Sequence, residues 1–72
     1  MDDTLTIFVI HLVGGAVGVV RADTLQDVKT WAYMIFDRDR VEAIHIATNE
    51  EIVGWMYATK AVDIPTIERV VA

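Results

Sequence analysis

The sequence predicts an α+β fold: a duplicated ββα-ββα chain whose four strands form one antiparallel sheet with two helices on one face. Three observations lead there. Residues branched at Cβ dominate, with 11 Val, 8 Ile and 7 Thr against 3 Leu, and such side chains suit the pleated sheet better than the helix. Gly14-Gly15 separates two apolar runs, and such a pair adopts the positive φ that tight hairpin turns require. The order strand, turn, strand, helix signal then recurs in the second half of the chain.

Leu5–Val13 (LTIFVIHLV) reads as a long first strand and Ala16–Ala22 (AVGVVRA) as its return. Asp23 with Gln26, or Thr24 with Asp27, forms a capping-box pattern that opens a helix. Leu25, Val28, Ala32, Ile35 and Phe36 recur at helical spacing and give that helix one apolar stripe. Asp37–Arg40 alternates in sign and reads as a solvated loop. Val41–Thr48 (VEAIHIAT) is the third predicted strand, Asn49-Glu50-Glu51 a polar turn, and Ile52–Thr59 (IVGWMYAT) the fourth strand. Asp63 is expected to cap a short last helix, with Pro65 in its first turn and Ile64, Ile67, Val70 and Val71 inward.

A gapless offset of 36 aligns Val17 with Val53, Gly18 with Gly54, Ala22 with Ala58, Asp27 with Asp63 and Thr30 with Thr66. Ile10-His11-Leu12 matches Ile44-His45-Ile46 at an offset of 34. The chain is therefore expected to be one domain, 1–72, with an internal repeat over 5–36 and 41–72.

Composition narrows the function. Seventy-two residues bury a small core, worth no more than ~3–5 kcal/mol. There is no Cys to staple it, yet 54% of residues are hydrophobic, which points to self-association or a standing protein partner. The formal charge is −5 and the six basic residues are scattered singly, so direct nucleic-acid binding is not expected. Thr4–Val20 has no formal charge and is 17 residues long. Its central glycines and preponderance of Val and Ile read as a hairpin, not a membrane span. Asp2 and Asp3 stand where a signal peptide carries basic residues, and the location expected is cytoplasmic.

Side chains alternate across strands, which fixes the expected faces. Phe8, Ile10 and Ile44 with Leu25 and Ile35 form the expected core. Arg21 rarely points into a core unpaired, so the face it shares is read as helix-free. That face displays Val9, His11, Arg21, Val41, His45, Trp55 and Tyr57, together with Val17 and Val19. Arg and aromatics among aliphatics suit a partner or oligomer interface.

The chemistry of catalysis is thinly represented. Neither Ser nor Cys occurs, which removes both common nucleophiles. No glycine-rich loop precedes a helix as a nucleotide site needs. His11 and His45 have no spaced third ligand of the kind zinc sites use, and Glu50-Glu51 reads as a solvated turn. No catalytic residue, cofactor or metal is therefore expected. The best enzymatic case is His11 meeting His45 across a sheet or subunit interface. The expected function is a non-enzymatic protein-binding or inhibitory module, homo-oligomeric through its helix-free face. The alternatives are a small-molecule-binding oligomer with a His/Trp-lined site, and a structural or regulatory subunit of a larger assembly.

Overall fold

A computed structural model describes residues 5–67. The order of elements is β1 (Thr6–Leu12), β2 (Val17–Ala22), α1 (Leu25–Phe36), a 3-10 turn (Arg38–Arg40), β3 (Val41–Ile46) and α2 (Asn49–Thr59). The strands form one antiparallel sheet in the order β2-β1-β3. It is an α+β fold with three strands among the described residues; the expected fourth strand and the ββα-ββα duplication are absent from it.

The first half follows its local signals. Gly14 and Gly15 turn the β1–β2 hairpin with φ of 101° and 97°, and Gly15 N donates to Leu12 O at 3.1 Å. Thr24 caps α1, its hydroxyl accepting from Asp27 N at 3.1 Å. The buried stripe of α1 is rotated from the expected one. Val28 and Ala32 are fully buried with Trp31 and Phe36 packed around them, while Leu25 and Ile35 are exposed. Spacings of i, i+3, i+4 and i+8 from Val28 describe the inner face better than a stripe begun at Leu25.

The second half departs where propensity and capping compete. Ile52–Thr59 is the body of α2, not a strand. Its Val, Ile, Trp and Tyr favour a strand, but Thr48 and Glu51 form a complete capping box. Glu51 N donates to Thr48 Oγ1 at 3.1 Å, and Thr48 N donates to Glu51 Oε1 at 2.8 Å. These bonds satisfy orphan donors at the helix start, so the expected polar turn at 49–51 is the first turn of a helix. Lys60, in the left-handed region at φ 58°, ends it. Thr48→Ala removes one of the two bonds and should cost ~1 kcal/mol, read as a lower urea midpoint with an unchanged slope.

Residues 61–67 hold a bend at Val62-Asp63 and a β-bridge at Thr66 where a last helix was expected. Arg21 N donates to Pro65 O and Ile67 N to Arg21 O, both at 2.8 Å, laying Thr66 parallel against β2. Asp63 Oδ1 accepts only from the adjacent Ile64 N at 2.8 Å in this stretch. Ile64 and Ile67 are buried as expected, but on opposite sides of the sheet, as alternation in an extended chain requires. The residues expected to continue that helix, Val70 and Val71, lie outside the described residues.

A helix therefore covers each face. On one side α1 packs Val28 and Ala32 on Phe8, Ile10, Val20 and Ala22, with Ile67 completing the cluster. On the other, Ile52, Trp55 and Met56 of α2 pack against Val9, Val19 and Ile64. The expected helix-free face is the one α2 occupies. With residues 52–59 helical, Gly54 is no counterpart of strand residue Gly18, and the 36-residue offset matches no structural repeat.

Candidate metal centre

His11 and His45 meet through the register of β1 and β3. Val9 pairs with His45 and His11 with Ala43, so the two histidines are diagonal neighbours on the α2 side of the sheet. Diagonal positions lie within reach of long side chains. Their rings stack with centroids 5.0 Å apart and planes at 24°, and the two Nε2 atoms are 3.0 Å apart.

Glu51 completes the cluster from the third residue of α2. Its Oε1 is held by the Thr48 amide, which leaves Oε2 directed at the rings, 3.6 Å from His45 Nε2 and 3.8 Å from His11 Nε2. The capping box thus does two jobs: it starts the helix and orients a carboxylate. His45 is oriented too. Its Nδ1 lies 3.0 Å from Ile46 O, a contact that an Nδ1–H donates, which leaves the Nε2 lone pair facing the cluster. Two neutral rings share the Nε2–Nε2 contact only if His11 carries its proton on Nε2. A cation between them satisfies both lone pairs with no proton there.

The hydrogen bond from the Thr48 amide lowers the Glu51 pKa from the ordinary glutamate value; desolvation opposes that shift, and the charge of His45 adds to it. Glu51 is therefore an anion across the neutral range, as a ligand or ion-pair acceptor must be.

Distance decides what the cluster fits. A triangle with sides 3.0, 3.6 and 3.8 Å has a circumradius of about 2.0 Å, the product of its sides over four times its area; zinc bonds to imidazole nitrogen and carboxylate oxygen measure ~2.0–2.2 Å. A point about one bond length from all three atoms therefore exists, and rotation of the stacked rings would aim both Nε2 lone pairs at an ion there. Side chains here are about one-third to one-half exposed, open enough for an ion to enter.

A cavity of about 400 Å³ adjoins the cluster. His11 and Glu51 form its polar end, and Val17, Gly54, Trp55, Ala58 and Thr59 line the rest. Residues 51, 54, 55 and 58 of α2 follow the i, i+3, i+4, i+7 spacing of one helix face. Thr59 Oγ1 donates to Trp55 O at 2.7 Å.

Of the seven residues expected to share an interface, Val9, His11, His45 and Trp55 lie together on the α2 side of the sheet. Val9 is buried in the α2-side core, and Trp55 packs against that core from the helix. Arg21 is near Asp63, with nitrogen and oxygen 3.5 Å apart. Val41 has changed faces: the register shifts between His11 and Leu12, pairing Leu12 with Val41 and leaving Glu42 as the extra residue. Such a bulge breaks alternation, and Val41 packs on the α1-side core. Tyr57 projects from the outer side of α2, 87% exposed.

Glu51 is the residue that sequence reasoning missed. Its signal was Thr48-x-x-Glu51, visible before the apolar run that follows it. No protein family, curated protein or solved structure matches the chain, and no helix among the described residues is long and apolar enough to cross a membrane.

Proposed function

We propose that this protein binds one divalent transition-metal ion through His11 Nε2, His45 Nε2 and Glu51 Oε2. The carrying observation is the three-atom triangle, whose circumradius equals a metal–ligand bond length. Two imidazoles and one carboxylate suit zinc, iron, nickel or copper(II) and disfavour calcium and magnesium, which take oxygen shells. Three protein ligands also leave a coordination position for an outside group, unlike a closed four-ligand structural site. The donors come from a strand, a second strand and a helix start, so the ion would tie α2 to the sheet.

Calorimetric titration of chelator-stripped protein with zinc tests this reading. One ion per chain is expected. His11→Ala, His45→Ala and Glu51→Gln should each weaken binding by more than the ~10–100-fold that loss of an outer-shell partner costs. Gln remains compatible with the capping box, so Glu51→Gln removes the ligand charge while preserving the helix start. Unchanged zinc affinity in a His11→Ala/His45→Ala protein would refute the assignment.

Self-association is a second reading, supported by Val53 and Tyr57, one turn apart on the outer side of α2 and 65% and 87% exposed. If this patch pairs two copies, light scattering at micromolar concentration gives twice the chain mass. Tyr57→Ala should then shift the protein to monomer, since truncating an interface hot spot costs ~2 kcal/mol or more. A monomer before substitution would end this reading.

A further inference from the structure

We propose that the cavity beside the triad is a binding site for a small monocarboxylate with an apolar body, its carboxylate completing the shell of the metal ion. The inference rests on the metal reading above and adds the chemical class of the ligand.

Charge selects the head group. A dication held by two neutral imidazoles and one glutamate retains one uncompensated positive charge, which a single carboxylate neutralises. Glu51 is the one charged side chain among those lining the cavity apart from His11 when protonated. An anion is therefore repelled from the metal-free site and attracted to the loaded one.

The walls select the body. Away from His11 and Glu51 the cavity is formed by Val17, Gly54, Trp55, Ala58 and Thr59, whose hydroxyl donates to Trp55 O. Such walls give a ligand no charge to pair with, so its free energy of binding there comes from apolar area. At about 400 Å³ the space falls at the small end of the ~300–1,000 Å³ typical of ligand cavities.

Gly54, in the same wall, is consistent with this reading. A glycine inside a helix is unfavourable relative to alanine, and two demands commonly excuse it: a positive φ or a close neighbour. Gly54 has neither. Its φ is not positive, and a Cβ built there meets nothing within 4 Å. What its missing side chain does provide is room in the cavity wall.

Phenylacetate is the probe, acetate its head-only control and 2-phenylethanol its uncharged control. Trp55 reports by fluorescence in a Trp31→Phe background, because Trp31 packs in the cluster on the other side of the sheet. Zinc-loaded protein should bind phenylacetate at least about tenfold more tightly than acetate, the lower end of what burying a phenyl-sized body supplies. It should bind phenylacetate more tightly than 2-phenylethanol, and the chelator-stripped protein should bind phenylacetate no better than acetate. Gly54→Leu, which a helix accepts, should retain zinc affinity and lose the preference for phenylacetate over acetate.

Phenylacetate binding equal to acetate in the loaded protein would overturn the apolar seat. Equal binding with and without zinc, or an unaltered preference in Gly54→Leu, would overturn the proposed pose. Failure of zinc to bind, read by calorimetry before any organic ligand is added, would instead overturn the metal reading on which the proposal stands.

Discussion

Ile10→Ala should leave a large share of the chain unfolded at 25 °C. Ile10 is 1% exposed at the centre of β1, between Gly18 of β2 and Ile44 of β3. Truncating a buried isoleucine to alanine costs ~2–5 kcal/mol, through lost transfer free energy and the cavity left behind. A core this small supplies only ~3–5 kcal/mol in total, so the loss is comparable with the whole stability. Circular dichroism at 25 °C should show lost structure and urea titration no folded baseline. Ile10→Val, at ~0.5–1.5 kcal/mol, provides the graded control. Ile35→Ala should change stability by less than ~0.5 kcal/mol, as substitutions away from packed sites do, because Ile35 is 57% exposed. A reversed order of these effects would restore the core expected from the sequence and contradict the packing described.

Zinc should raise the thermal midpoint by roughly 10–20 °C when free ion exceeds its dissociation constant a hundredfold. A ligand that binds only the folded state stabilises by about 2.7 kcal/mol at that ratio. In a domain of this size each kcal/mol moves the midpoint by ~4–8 °C. The shift requires the assembled triad, since His11, His45 and Glu51 come together only when β1, β3 and α2 are in place. His45→Ala should abolish it while leaving the zinc-free midpoint little changed, His45 being exposed. A midpoint independent of zinc, or an equal shift in His45→Ala, would contradict that coupling.

Local chemistry made the first half legible. Two glycines at positive φ, a Thr–Asp cap and an alternating apolar strand each act over a few residues, and the hairpin and α1 followed from them. Residues 52–59 were harder because two local rules disagree. Branched and aromatic side chains argue for a strand, while Thr48 and Glu51 argue for a helix. The cap prevails in the fold, where Ile52, Trp55 and Met56 also find one face to bury. That single choice carried two other corrections with it. Once 52–59 is a helix, the repeat has no structural basis and the face thought bare is covered.

The site was legible only in part for a related reason. That His11 and His45 share a sheet face follows from alternation, but their diagonal contact depends on register, which side-chain pattern alone does not set. Val41 shows the limit: one extra residue at Glu42 moves it to the opposite face. Glu51 reaches the histidines through three-dimensional placement of α2, and nothing in its neighbourhood of sequence names that destination.

The placement of β1 has a consequence for the protein's synthesis. This strand is made before the other described elements, yet it lies in the middle of the sheet, and Phe8, Val9 and Ile10 are buried on both its faces. Among the described residues its last cover comes from Ile64 and Ile67, the latter 55 residues beyond Leu12. At ~5–20 residues per second of translation, β1 waits roughly 3–11 s for both clusters to be completed. During that interval the nascent chain presents one of its most apolar segments with no finished surface to bury it. Neither cluster can close until Ile64 and Ile67 have been made, so packing on β1 follows synthesis of nearly all the described residues.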